Sequence, residues 1–135
     1  MRVVLDTNVL VSGLRSDGGP RLALEMAEAG LYRLILSEAM LLELDDVLER
    51  KFDWSRRLRT NTLRGLRATA EMVEPNFVLT NCIDPDDNRI LEAAVAGRSD
   101  CIVSGDKHLR RMGRFQGVEI VTVSDFLILT TDWAR

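Results

Sequence analysis

Four acidic residues in well-separated parts of the chain have positions that are typical of a catalytic site. Two of them follow short apolar runs, since Asp6 comes directly after Val3–Leu5 and Asp106 comes shortly after Cys101–Val103. The other two lie near the starts of predicted helices. Because the carboxyl ends of parallel strands meet at one edge of a sheet, ligands bind there and we expect the four carboxylates to converge. The set is Asp6, Glu43, Asp87 and Asp106.

Converging carboxylates indicate a cation, because like charges at close range destabilise one another. Oxygen ligands suit hard divalent ions such as Mg²⁺. A zinc site is not favoured, since His108 is the only histidine. A metal ion held by carboxylates activates water and stabilises the leaving oxygen in phosphodiester cleavage. Capping of a helix or turn explains any one of these acids equally well, so the metal interpretation depends on the whole set.

Short apolar runs alternate with segments of helical periodicity along the chain. The predicted strands are Val3–Leu5, Leu34–Leu36, a weaker Val78–Leu79, Cys101–Val103 and Val118–Val121. The predicted helices are Arg21–Ala29, a helix after Ser37, Ser55 to about Met72, Asn88–Ala96 and a short helix from Ser124. Strands that are apolar on both faces and alternate with helices predict a parallel sheet covered on both sides.

We therefore predict an α/β fold, a three-layer α/β/α sandwich with a central, mostly parallel sheet. Neither a linker nor an internal repeat divides residues 1–135, which predicts a single domain. Ser37 and Ser55 are predicted helix N-caps. In the helix after Ser55, we expect Leu58, Leu63 and Leu66 to face the core.

The composition is that of a globular chain, with 135 residues, 46% hydrophobic and 29% charged. No apolar stretch reaches the roughly 20 residues of a transmembrane helix, and the charged N-terminal segment is not typical of a signal peptide. The two cysteines, Cys82 and Cys101, lie in apolar surroundings, which favours a reducing compartment. These features predict a cytoplasmic protein without a membrane partner.

The net charge of −3 at first argues against a nucleic-acid partner, but the charges are unevenly distributed. Seven basic residues and a single acid, Asp53, lie between Arg50 and Arg67. A solvated helix face explains these residues as well as RNA binding does. Trp54 is available for base stacking, although packing at the helix start is the favoured interpretation. The candidates for phosphate contacts are Arg50, Lys51, Arg56, Arg57, Lys107 and Arg110.

Four motifs, in this order, resemble the PIN domain family over Arg2 to about Leu127. Each motif alone is weak, whereas the ordered set is specific. The chain resembles in particular the prokaryotic PIN proteins of toxin–antitoxin systems, relatives of the VapC ribonuclease toxins. The motifs are Asp6-Thr7-Asn8, the segment Ser37–Leu44, the segment Asp84–Ala94 and the segment Ile102–Asp106.

The resemblance implies a Mg²⁺- or Mn²⁺-dependent endoribonuclease, often neutralised by a small protein antitoxin, and a homodimer. In this resemblance Asp6, Glu43, Asp87 and Asp106 match the family's acidic quartet. Asp84 and Asp86 remain alternatives to Asp87, and either one or two metal ions are possible. Glu38 competes with Glu43, although its place beside Ser37 favours a helix-start role. The residues expected to hydrogen-bond to the ligands and hold them in place are Thr7, Asn8 and Ser104.

Other functions fit the sequence less well. Asp6 could act as the nucleophile of a phosphotransferase or phosphatase of the haloacid-dehalogenase-like type. Such enzymes have a second aspartate two residues after the nucleophile, where this chain has Asn8. A receiver domain needs paired acids after the first strand, which are absent from the sequence. A non-catalytic RNA- or protein-binding module that retains the PIN fold is the main alternative. A complete acidic quartet argues against such a module, since a polyanion binder gains nothing from it.

Overall fold

The computed structural model describes residues 1–133, which form six strands and seven helices. The strands are β1 (Arg2–Leu5), β2 (Arg33–Ser37), β3 (Glu71–Val73), β4 (Cys101–Val103), β5 (Arg114–Phe115) and β6 (Val118–Val121). The helices are α1 (Thr7–Arg15), α2 (Gly19–Glu28), α3 (Glu38–Phe52), α4 (Arg56–Thr69), α5 (Pro85–Ala96), α6 (Lys107–Met112) and α7 (Val123–Trp133). None of the helices within residues 1–133 combines the length and apolar character needed to cross a membrane.

The strands form one sheet in the order β3-β2-β1-β4-β6-β5, and only β5 runs antiparallel to its neighbour. In the register of the central pair, Leu5 lies opposite Val103. On the other side of β1, Val3 lies opposite Leu34. The strands β1, β2, β3, β4 and β6 therefore end at the same edge of the sheet, which confirms the predicted mostly parallel arrangement.

The central strands are buried on both faces, as the apolar runs predicted. Val4, Leu36 and Ile102 have no exposed surface. Helix α5 packs against β1 and β2, helix α3 packs against β2, and α2 packs against both α1 and α7. The fold is thus the expected α/β sandwich, and burial of these apolar side chains is its main source of stability.

Both predicted serine caps are present. The Ser37 hydroxyl accepts a hydrogen bond from the Met40 backbone N–H at 3.3 Å, and the Ser55 hydroxyl accepts one from the Leu58 N–H at 3.1 Å. Helix α5 begins three residues earlier than predicted, because Asp84 caps it and Pro85 fits the first turn.

The prediction of a strand at Val78–Leu79 was wrong. The third strand is instead Glu71–Val73, a segment assigned in part to the end of the preceding helix. The backbone of Leu79 is satisfied by side chains of α5, since its N–H donates to Glu92 at 2.7 Å and its carbonyl accepts from Arg89 at 3.3 Å. These side-chain contacts replace the ladder that a strand would need.

Three short elements were not predicted. Helices α1 and α6 follow Asp6 and Asp106, where the sequence pattern predicted no helix. Strand β5 pairs with β6 through a two-residue turn in which Gln116 and Gly117 have φ of 46° and 83°, as a tight hairpin requires. The inward orientation expected for Leu58 was also wrong, because this side chain is exposed whereas Leu63 and Leu66 are buried.

Candidate active site

Asp6 lies at the junction of β1 and α1 and is buried, with 2% of its surface exposed. Its Oδ1 accepts a hydrogen bond from the Val9 N–H at 2.8 Å, which caps α1, and its Oδ2 accepts one from the Ser104 hydroxyl. Burial raises the pKa of Asp6 above its ordinary value, and the two hydrogen bonds oppose this effect. Asp6 therefore serves as a helix cap, and the nearby charge of Asp106 adds to the rise in its pKa.

Ser104 connects Asp6 to Asp106. The Ser104 side chain has no exposed surface, and its hydroxyl also accepts a hydrogen bond from the Asp106 N–H at 3.0 Å. The Asp106 Oδ1 accepts from the N–H groups of His108 and Leu109 at 2.9 and 3.0 Å, which caps α6. One buried hydroxyl therefore fixes the ends of the two central strands and both of their acids.

Glu43 reaches the same edge from α3, where Thr7 orients it. The buried Thr7 hydroxyl donates to Oε2 of Glu43 at 2.9 Å. Burial raises the pKa of Glu43 to about 7, and the negative charges of Asp86, Asp84 and Asp6 add to this rise. The hydrogen bond from Thr7 acts in the opposite direction. Glu43 thus has a carboxyl group that titrates near neutral pH.

Asp87 lies in the first turn of α5 and is 8% exposed. Burial raises its pKa to about 6, and the charges of Asp106, Asp84 and Asp6 contribute further, whereas His108 lowers it. These effects operate only over short distances, so Asp87 shares the electrostatic environment of Asp6 and Asp106.

The two acids beside Asp87 have a different environment. Asp84 caps α5 by accepting a hydrogen bond from the Asp86 N–H at 2.9 Å, and both side chains are exposed. Only Asp87 of the three is buried. This placement favours Asp87 as the third acid of the candidate site.

The side chain of Asn8 is exposed and makes no hydrogen bond to other residues in the range 1–133, in contrast to Thr7 and Ser104. Its backbone N–H supports Asp6. The structure therefore places the Asn8 backbone, but not its side chain, in contact with the acids.

The donor set fits a hard divalent cation that retains water. The negative charge of Asp106 adds to the raised pKa of Asp6 and of Asp87, and the charge of Asp6 adds to the raised pKa of Glu43. Within residues 1–133, no group of three or more His, Cys, Asp or Glu side chains is arranged so that it could hold a metal ion by itself. Mg²⁺ does not require one, because it is usually held by one or two carboxylates with water and substrate oxygens completing its shell.

Several basic residues of the Arg50–Arg67 stretch have structural partners. Arg50 pairs with Asp46 at 3.1 Å. Arg59 is 9% exposed and contacts Asp45 at 2.9 Å and Glu49 at 2.7 Å, which ties α4 to α3. Arg67 pairs with Glu38, in agreement with the helix-start role expected for that glutamate.

The remaining candidates for phosphate contacts are exposed and make no ion pair within the described part of the chain. They belong to two surfaces, one at the α3–α4 junction and one on α6. On α6, Lys107, Arg110 and Arg111 line a depression of about 310 Å³. The candidates at the α3–α4 junction are Lys51, Arg56 and Arg57. Trp54, between the two helices, packs against the core, as favoured from the sequence.

Two buried polar residues of α5 were missed in the sequence. Asn88 is 5% exposed and makes two hydrogen bonds to the backbone of Cys82, accepting from its N–H at 2.8 Å and donating to its carbonyl at 3.0 Å. Glu92 is 6% exposed and accepts from the Leu79 N–H. Their spacing of four residues on the core side of a helix was the available signal.

A cavity of about 360 Å³ adjoins the acids. Asp87 and Asp106 line it together with the segment 81–84 and with His108 and Met112 of helix α6. The cavity and the four carboxylates lie beyond the carboxyl ends of the parallel strands, where ligands bind in open α/β sheets.

The PIN domain family profile matches residues 2–108, and the chain therefore belongs to the PIN domain family. Its fold is similar to that of a chain in the crystal structure of VapBC2 from Rickettsia felis bound to a DNA fragment from their promoter. The TM-score is 0.62 and the identity 15%, and the match covers 90% of this chain and 98% of that chain. A search of curated proteins found no significant match.

Proposed function

We propose that residues 1–135 act as a single PIN nuclease domain that hydrolyses RNA phosphodiester bonds with Mg²⁺ or Mn²⁺. The observation that supports this proposal is that Asp6, Glu43 and Asp87 are carboxyl groups whose pKa is raised by burial and by neighbouring acids, Asp106 among them. Membership of the PIN family supports it further. A divalent ion would offset the repulsion among these groups.

The four acids would have different roles in the reaction. Asp6 and Asp106 would hold the metal, because Ser104 fixes both of them. A bound divalent ion lowers the pKa of water and stabilises the leaving oxygen. Glu43, with a pKa of about 7, suits acceptance of a proton from the attacking water near neutral pH. Asp87 would hold a second ion or orient that water.

The RNA backbone would lie across the basic residues that have no ion-pair partners in the described chain. Lys107, Arg110 and Arg111 are the nearest of these to Asp106, because they belong to the helix that this acid caps. Lys51, Arg56 and Arg57 would extend the contact. Phosphate contacts of this kind give affinity that falls steeply with salt concentration.

The biological role that fits this activity is the toxin of a type II toxin–antitoxin pair. The similarity in fold to a chain of a VapBC complex supports this assignment. We propose that a small protein antitoxin neutralises the nuclease and that the nuclease is a homodimer. An open reading frame for a small protein beside the gene, and co-purification of its product, would test the first point. Light scattering on the purified chain would test the second.

The test of the nuclease activity is cleavage of single-stranded RNA with added Mn²⁺. We expect Asp6→Asn and Asp106→Asn to lower the cleavage rate at least about 100-fold, because both remove a metal ligand. Asp17→Asn, a change at an exposed aspartate with no described partner, is the matched control and should cleave normally. Circular dichroism verifies folding. Wild-type rates in both site variants would contradict the proposal, and RNA binding without cleavage would favour the non-catalytic alternative.

A further inference from the structure

We propose that the cavity beside the acids binds one nucleobase next to the cleaved phosphodiester, and that Asn81 and Ile83 determine which base is preferred there. The proposal rests on the proposed nuclease function. The cavity of about 360 Å³ is within the range of roughly 300–1,000 Å³ that is typical of small-ligand sites. A nucleotide bound there would place its phosphate beside Asp87 and Asp106, which line the same cavity.

Besides Asp84, Asp87 and Asp106, the cavity is lined by residues with the chemistry of a base-binding surface. The side chain of Ile83 is 99% exposed, so it presents a full apolar face to a ligand. The sulfur atoms of Cys82 and Met112 lie 4.0 Å apart in this lining, and sulfur makes favourable contacts with aromatic rings. Asn81 is exposed and its amide has no hydrogen-bond partner within residues 1–133, which leaves it available for the edge of a base.

The segment 81–84, which forms part of the cavity wall, is held by hydrogen bonds to the helix that carries Asp87. Asn88, the next residue, holds the backbone of Cys82 by two hydrogen bonds, and Glu92 holds Leu79 one turn further along. Both side chains are buried. Pre-organisation of this kind lowers the entropic cost of binding and fixes the distance between the wall and the acid.

Helix α6 contributes residues both to the cavity and to a basic surface. Its residues His108 and Met112, four positions apart, line the cavity, whereas its three basic residues line the adjacent depression. One helix thus separates a base-sized cavity from a phosphate-binding surface, with Asp106 at its start. Bases in an A-form duplex are paired and stacked, so they cannot enter such a cavity. Recognition of a base there therefore requires an unpaired nucleotide.

The test maps the cut sites in an RNA with a randomised single-stranded segment, after cleavage with Mn²⁺. We expect the wild type to prefer particular bases at one position beside the cut. Asn81→Ala and Ile83→Ser should weaken that preference about fivefold or more, the lower range for loss of a base-stacking contact. Ile128→Ser changes another exposed isoleucine, on α7, and should leave the preference unchanged. The same RNA annealed to its complement should be cut at least about tenfold more slowly.

A wild type without base preference would overturn this inference, as would an unchanged preference in both cavity variants or equal cleavage of duplex RNA. Each of these results leaves the nuclease function intact. If the wild type cuts no RNA, the nuclease proposal fails, and binding of a fluorescent single-stranded octaribonucleotide then decides about the cavity. If the wild type and Ile83→Ser bind this RNA with equal affinity, the base-binding cavity is overturned. If Ile83→Ser binds at least about fivefold more weakly and Ile128→Ser binds like the wild type, the base-binding cavity is supported.

Discussion

Two buried serines, one on each side of β4, differ in the hydrogen bonds of their hydroxyl groups. The Ser104 hydroxyl is hydrogen-bonded to both Asp6 and Asp106, whereas the Ser99 hydroxyl has no partner within the described residues. A buried hydroxyl contributes to stability only when its hydrogen bonds are made. The two positions therefore form a matched pair in which the same substitution should have different effects.

We expect Ser104→Ala to lower the free energy of unfolding by about 1–3 kcal/mol, because it leaves the Asp106 N–H and an Asp6 oxygen without their partner. Loss of the hydrogen bond should also raise the pKa of Asp6 and shift the acidic limb of the activity profile to higher pH. Ser99→Ala should cost nothing. Urea unfolding and a pH–rate profile measure both effects, and equal behaviour of the two variants would refute the role given to Ser104.

Glu43 predicts an unusual pH dependence of stability. Its pKa is about 7 in the folded chain and near 4.5 without the fold. Between these values the folded state binds more protons than the unfolded state, so the free energy of unfolding falls as the pH rises through this window. The stabilisation is present below the lower value and is lost as Glu43 ionises.

In the absence of metal, we expect the wild type to lose thermal stability from about pH 5 to about pH 8, and Glu43→Gln to lose less. Differential scanning calorimetry in buffer with a chelator measures the difference. Glu28→Gln changes an exposed glutamate and should retain the wild-type slope. Identical slopes for the wild type and Glu43→Gln would mean that Glu43 ionises normally.

At the scale of elements, α5 connects an acid to the wall of the cavity. We expect Asn88→Ala to increase hydrogen exchange in the segment 80–84, because the Cys82 backbone loses two buried hydrogen bonds. The pattern of cleavage should become less base-selective while the helix remains folded. Asn61→Ala, at an exposed asparagine of α4, should change neither property. Unchanged exchange around Cys82 would show that Asn88 does not hold the segment.

Periodicity predicted the long elements and missed the short ones for a physical reason. Apolar runs such as Leu34–Leu36 are buried on both faces, so their composition alone identifies them. Helix α6 has six residues, too few for a helical pattern to emerge, and its stability depends on Asp106 as a cap. The segment Val78–Leu79 is apolar and yet not a strand, because distant side chains satisfy its backbone.

The candidate site was also predictable only in part from the sequence. The rule that strand ends share an edge brought Asp6 and Asp106 together from positions about a hundred residues apart. No local pattern could show that Ser104 hydrogen-bonds to both acids, or that Asn88 holds Cys82. The Ser104 contacts depend on the register of β1 and β4, and the Asn88 contacts depend on the path of the irregular segment before α5.

At the scale of the molecule, the net charge of −3 conceals two kinds of arginine. Arg59 is buried between Asp45 and Glu49 and contributes to the fold. The basic residues of α6 have no such partners in the described chain. The four carboxylates of the candidate site alone exceed the net charge, so a bound divalent ion would make the molecule markedly less repulsive to RNA.

This electrostatic imbalance predicts that metal stabilises the whole fold. Mn²⁺ at a concentration about 100 times its Kd should stabilise the folded chain by about 2.7 kcal/mol and raise Tm by several degrees. Asp106→Asn should reduce this rise, whereas Asp17→Asn should not. Thermal unfolding with and without millimolar Mn²⁺ measures the shift, and an unchanged Tm in the wild type would contradict the metal site.

The pairing of β1 with β4 also has a consequence for the timing of synthesis. Ser104 and Asp6 are 98 residues apart, and β4 must lie beside β1 before their hydrogen bond forms. Chains grow at about 5–20 residues per second from the N-terminus, so the two central acids can meet only several seconds after Asp6 has been made. A nascent chain would therefore have no assembled site until β4 and Asp106 had left the ribosome and paired with β1.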